Sequence, residues 1–137
     1  MSTLAISNTS MKFRVSRVTV GRVLSALAVL FLVFDTAVKF TAVPAVAESM
    51  GQLGYPMGYA VRIGILELVC LAVYLIPRTS VVGVILLTGY LGGAIASHVR
   101  VGNPLFSHVL FPIYIAALLW GGLYLRDARV RSIISAR

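Results

Sequence analysis

Acid is what this chain has least of: four Asp and Glu stand against twelve Lys and Arg in 137 residues. Charge of either sign is scarce, at 12% of residues, roughly half the share a water-facing domain carries. The hydrophobic share is 59% and the mean hydropathy +0.96. A single domain of this length has too little polar surface to face water on all sides, so a soluble globule is excluded and a bilayer must supply the apolar solvent. Cysteine is reduced to one residue, Cys70. That excludes an intramolecular disulfide, a CxxC pair and a thiolate metal site, and with them dithiol redox chemistry within one chain. Cys70 reads as a small apolar helix residue. The first apolar run is too long for a signal peptide and ends in Asp35 and Lys39, not at a small-residue cleavage site. It is expected to stay in the protein.

The positive charge that is present sits at the ends. Lys12, Arg14, Arg17 and Arg22 precede or open the first apolar run, and Arg126, Arg129, Arg131 and Arg137 follow the last. With a formal net charge of +8, a soluble fold would suggest nucleic acid, but no soluble reading fold is present. Basic ends on an apolar body are what the positive-inside rule produces.

About 20 helical residues cross the hydrocarbon layer. The apolar runs predict four spans: Val18 to Phe40, Met57 to Ile76, Ser80 to His98 and Leu105 to Leu125. Pro44 closes the first, Pro77 the second, and Val101-Gly102-Asn103-Pro104 turns the chain after the third. Pro112 inside the fourth predicts a kink. Between spans one and two, Val43 to Gly54 has Pro44 at its start, Gly54 at its end, and Val46, Met50 and Leu53 at helical spacing. It predicts a short interfacial helix, with a plain loop as the alternative. The fold expected is therefore all-α: an integral membrane four-helix bundle with a short interfacial helix. Residues 1–17 read as a basic cytoplasmic N-terminus, disordered over Met1 to Ser10, 18–125 as the four-span domain, and 126–137 as a basic cytoplasmic tail.

Counting basic residues orients it. Both ends and the Pro77 turn hold nine; the other side holds Lys39, Arg62 and Arg100. Both termini are thus expected in the cytoplasm. Gly89, Gly93 and Ser97 in span three, and Ala117 and Gly121 in span four, form small-residue stripes. They are assigned to packing within the bundle in preference to a dimer contact.

Ionisable groups inside a bilayer are costly and usually face the bundle interior. Asp35 lies in the outer half of span one with Lys39 at i+4, where the two can pair. Glu67 lies roughly 15 Å into span two, near the midplane, where a carboxylate must be protonated or paired. On span two, Tyr59, Ile63, Glu67, Cys70 and Tyr74 share one face; on span three, Tyr90, Ala94 and His98 share another. Arg62, Arg100 and His108 complete an outer-half polar set. The residue pattern alone predicts that these groups line one cavity open to the outside. Asp35 with Lys39 also reads as a plain interfacial salt bridge, Arg62 and Arg100 as interface anchors, and the two histidines as loop residues.

These residues occur in a familiar order. Phe34-Asp35 with Lys39, Leu53-Gly54-Tyr55-Pro56, Gly64-Ile65-Leu66-Glu67, Tyr74-Leu75-Ile76-Pro77-Arg78-Thr79, Thr88-Gly89-Tyr90-Leu91-Gly92-Gly93-Ala94, His98-Val99-Arg100, Pro104-Leu105-Phe106 and Trp120-Gly121-Gly122-Leu123 follow one another from Val20 to Arg129. In this the chain resembles the DoxX-like family of small four-helix bacterial membrane proteins. The resemblance implies a four-span bundle in the bacterial cytoplasmic membrane. Some relatives are linked to quinone-coupled oxidation of thiosulfate or to membrane complexes that handle oxidative stress; many have no assigned activity.

Three functions compete. The first is a quinone-linked redox component, in which Tyr90, His98 and Arg100 donate to the quinone carbonyls and Glu67 or Asp35 relays protons. Glu67, Asp35 and His98 are then the catalytic candidates, and Tyr90, Arg100, His108, Lys39 and Arg62 the cofactor-binding ones. The chain has no flavin motif, so this reading needs a redox partner or a bound cofactor. A haem or metal held by His98 and His108 is disfavoured: both sit at the rim and no ligand-spacing motif supports them. The second is a carrier for protons or a small solute, using Glu67 and a homo-oligomer to complete the path. The third is a non-catalytic subunit of a membrane complex.

Overall fold

The computed structural model describes residues 15–136, so the expectations for Met1 to Ser10, Lys12, Arg14 and Arg137 lie outside the described residues. The described chain is helical, with no strand. Helix α1 spans Arg17–Phe40; Ser16 caps it by accepting from the Val18 amide at 3.3 Å, and Thr41 closes it by donating to the Val38 carbonyl at 2.7 Å. Pro44 opens α2, Pro44–Gln52. A helix does follow span one, as the proline-to-glycine spacing predicted. Gly54 ends this segment at φ +73°, a left-handed conformation that favours glycine, and the Tyr55 amide returns to the Met50 carbonyl at 2.9 Å. Val46 and Met50 bury against Ala60, Val38 and Ile63, which docks α2 on α1 and α3.

Helix α3 spans Tyr59–Leu75 and α4 spans Ser80–Arg100, joined by the expected turn at Pro77. The fourth apolar run is not one α-helix. Leu105–Val109 forms a π-helical turn and α5 runs from Phe111 to Arg126. Pro112 lacks an amide hydrogen and its ring crowds the carbonyl four residues back, so the first turn widens and the Leu110 amide bonds Leu105 at 2.8 Å instead. The tail, expected only as a basic segment, carries a sixth helix, α6, Ala128–Ser135. Asp127 caps it by accepting from the Arg129 amide at 2.9 Å. Val130 turns inward and is 2% exposed.

Among the described residues, three helical segments are long and apolar enough to cross a membrane: Arg17–Phe40, Ser80–Arg100 and Leu105–Arg126. At 17 residues α3 spans only about 25 Å, just under the hydrocarbon thickness. Helix α1 packs on α5 and α3, and α4 packs on α3 and α5. Leu32, Leu71, Tyr74, Val84, Leu87, Leu119 and Leu123 fill the space between them, while side chains such as Leu30, Phe34, Leu68 and Val82 point outward. Outward-facing apolar residues are what lipid contact requires.

The closest helix crossings use glycines outside the expected stripes. A Cβ on Gly83 would fall 2.2 Å from the Tyr74 backbone nitrogen, and one on Gly122 would fall 2.3 Å from Ser25 Oγ. Gly89 and Gly93, assigned from sequence to bundle packing, meet nothing within 4 Å. They border a cavity instead.

Candidate functional site

That cavity, about 770 Å³, lies at the end of the molecule where α2 and the two histidines gather, away from the Arg22–Arg126 end. Phe31, Leu32, Leu66, Ile85, Leu91 and Ile115 give it mostly apolar walls. Gly89, Gly93 and Ala94 hollow out the α4 side by having little or no side chain. Phe31 and Phe111 meet edge-on at 4.9 Å where α1 approaches α5.

One polar cluster is built into the wall. Helical spacing puts Asp35 and Lys39 on one face of α1. Gly64 lets α3 come close, since a Cβ there would sit 3.3 Å from Lys39 Cβ, and Glu67 follows one turn later. Tyr90 reaches in from α4. The Lys39 ammonium donates to Asp35 Oδ2, to Glu67 Oε2 at 2.8 Å and to Tyr90 Oη at 3.0 Å. Its three hydrogens are thereby all used. Tyr90 Oη donates in turn to Glu67 Oε2 at 3.0 Å. Three helices thus share one hydrogen-bonded knot.

The knot is graded in exposure. The Asp35 side chain is 39% exposed, Lys39 18% and Glu67 0%. Asp35, Lys39 and Tyr90 face the cavity, and Glu67 is sealed behind them. One ammonium serves two carboxylates, and Glu67 Oε1 is buried with no partner among the described residues. A buried polar atom left this way is costly, which is why such groups cluster where proton or ligand chemistry is done.

His98 and His108 come together at the opposite rim, ring centroids 5.5 Å apart and edge-on. Each has its Nδ1 engaged, His98 with Asn103 at 2.7 Å and His108 with Ser107 at 2.8 Å. Both line the cavity. With the rings in contact, no macrocycle fits between them, and no group of three or more His, Cys, Asp or Glu converges among the described residues. Tyr55 Oη meets Ser97 Oγ at 2.9 Å, which ties the α2–α3 connector across the mouth.

Two of the expected residues stand apart. Arg62 is exposed, lies over the Tyr59 ring at 5.0 Å, and is absent from the cavity wall. It stands five positions before Glu67, about 140° around the helix, so both cannot face inward. Tyr59, placed from sequence on the Glu67 face, is likewise 44% exposed. Arg100 also stays out of the wall; it donates to the Leu53 carbonyl and lies over the Tyr55 ring, so it braces the rim. Sequence reasoning missed the bond from Lys39 to Glu67 and Tyr90. Their lipid-excluded positions were its only signal. Cys70, placed from sequence on the Glu67 face, is 4% exposed and lies in the cavity wall.

Neither a comparison with curated proteins nor one with solved structures gives a match. A family model does match, over residues 23–122. That stretch takes in α1 from its second turn through most of α5, and with it the whole cluster and cavity, and its apolar helices are those of a membrane protein. The chain belongs to the DoxX-like family.

Proposed function

We propose that this membrane protein binds a quinone-class ring in the 770 Å³ cavity and couples its reduction or oxidation to proton transfer at the Asp35–Lys39–Glu67–Tyr90 cluster. The observation that carries this reading is one apolar chamber with a single hydrogen-bonded titratable knot in its wall. A flat apolar ring with two carbonyls needs that combination. On binding, Tyr90 turns its single hydroxyl hydrogen from Glu67 to one carbonyl while Lys39 keeps its hold on Asp35, Glu67 and Tyr90; His98 or His108 at the rim donates toward the other. Reducing a quinone to a quinol takes two electrons and two protons. Asp35, wet on the cavity side, and Glu67 behind it handle the protons. The electrons come from a redox partner subunit, since one cysteine provides no dithiol.

The same reading takes α1, α3, α4 and the Leu105–Arg126 segment as four spans, with α2 on the outer membrane surface and both termini in the cytoplasm of a bacterial cell. It is preferred to a carrier because Leu71, Tyr74, Leu87, Leu119 and Leu123 close the space between the cavity and the basic end. A non-catalytic subunit would have no use for the cluster.

The test is titration of the full chain in nanodiscs with a short-tailed ubiquinone or menaquinone, read by quenching of Trp120, the single tryptophan. Saturable binding that weakens in Tyr90→Phe and Lys39→Met supports the proposal. Quenching that rises linearly with quinone, alike in all three proteins, sinks it.

A further inference from the structure

A second pocket, about 270 Å³, opens at the basic end between α1, α3 and α5, on the far side of the packed core. Its polar lining is Arg22, Ser25, Tyr74 and Arg126; Ala26, Val29 and Leu75 supply an apolar wall. Ser25 Oγ lies 2.9 Å from Tyr74 Oη, and Tyr74 Oη donates to the Leu119 carbonyl at 3.2 Å, so the floor is internally satisfied. The guanidiniums are not. Arg126 lies over the Tyr74 ring at 5.2 Å, and its Nε is buried with no hydrogen-bond partner among the described residues.

Among the described residues no carboxylate is left to satisfy them. The chain has four acidic residues. Asp35 and Glu67 are held by Lys39, Glu48 lies on α2 beside Gln52, and Asp127 gives both oxygens to Arg129. Among the described residues neither Arg22 nor Arg126 has an ion pair. Two fork-shaped donors at one pocket, with a buried N–H unspent, match the geometry of a phosphate group.

We propose that this pocket binds a phosphate group, Arg126 and Arg22 taking its oxygens, and that Ala26, Val29 and Leu75 accept the chain of an anionic phospholipid that carries it. The inference is independent of the quinone cavity: it uses other residues at the other end of the molecule. Free phosphate shares the headgroup chemistry, so the two sources are separated by experiment. Full-length protein in mild detergent is examined by native mass spectrometry with phosphatidylglycerol and with phosphatidylcholine, and by calorimetry with inorganic phosphate.

Wild type is expected to retain phosphatidylglycerol over phosphatidylcholine, and Arg126→Gln and Arg22→Gln each to weaken retention by about tenfold, the worth of one charge-assisted contact. Arg78→Gln removes the same charge outside the pocket and is expected to leave retention unchanged. Inorganic phosphate binding with the same variant dependence, and no lipid preference, would keep the site and assign it to free phosphate. Equal retention in wild type, Arg22→Gln and Arg78→Gln, with no phosphate heat, overturns the proposal. Arg22 is exposed, so its variant folds even if Arg126→Gln does not.

Discussion

The two ends of this molecule use glycine for opposite purposes. At the basic end Gly21, Gly83 and Gly122 remove side chains so that backbones touch. At the other end Gly89 and Gly93 remove side chains and nothing moves in to fill the space. The first arrangement gains dispersion contacts between helices that lipid cannot push together by a hydrophobic force. The second gives up those contacts and keeps a chamber. A tight clasp at one end is what allows the other end to stay open, and among the described residues the only charged cluster in the helix interior sits on the open side.

Variants can break that comparison in a graded way. Gly83→Val should have the largest effect, because its side chain would overlap the Tyr74 backbone, which has no flexible end to yield. Loss of about 3 kcal/mol or more is expected, seen as failure to hold the folded state in detergent unfolding. An unfolding midpoint equal to wild type would show that the clasp is not needed.

Lys39→Met comes next. It leaves two carboxylates facing each other, one of them fully buried, at a cost of about 3 kcal/mol. Adding Glu67→Leu and Asp35→Asn to it should recover most of that stability, because the charges are then gone together. Denaturant titration of the single and triple variants measures the recovery.

Tyr90→Phe removes the donor to Glu67 while keeping the ring, and should cost about 1 kcal/mol by the same titration. Asp127→Ala removes the α6 cap and should fray that helix alone, by less than about 1 kcal/mol, read as faster amide exchange from Arg129 to Ser132. The hydrogen bond from Arg129 holds the Asp127 carboxyl below its ordinary value of 3.8. A depressed carboxyl stabilises the fold above its unfolded-state pKa and loses that contribution as pH falls through the folded one. Protection of α6 in wild type should therefore be flat from neutral pH to about 5 and decline below about 4, and the decline should be absent in the variant.

Gly93→Ala should change stability least. The added methyl meets open space, and alanine favours helix, so the midpoint should hold or rise by up to about 1 kcal/mol. A clear loss would mean that the open end is packed after all.

Much of this was legible from residue order. Apolar runs bounded by Pro44, Pro77 and the Gly102–Pro104 turn located the long helices within a few residues, because chain segments in lipid must satisfy their backbone internally. The pairing of Asp35 with Lys39 followed from one helical turn. The capping residue Asp127, with Val130, Ile133 and Ile134 at helical spacing, carried a readable signal for α6 that the charge count obscured. The tyrosine-to-glutamate knot carried none beyond the depth of its members in the apolar runs, since Lys39 and Glu67 lie 28 residues apart. Their contact depends on how far α3 rotates about its axis. The same rotation turned Arg62 away from the cavity.

Composition by itself determined that the chain lives in lipid, is helical, and can bury very few charges. Which glycines close a gap and which leave one was decided by tertiary structure, as was the sharing of a single ammonium between Asp35 and Glu67. The reason is physical. Periodicity specifies the face a residue occupies on its own helix, whereas the neighbour that face meets depends on the relative rotation and depth of two helices, which no local pattern encodes.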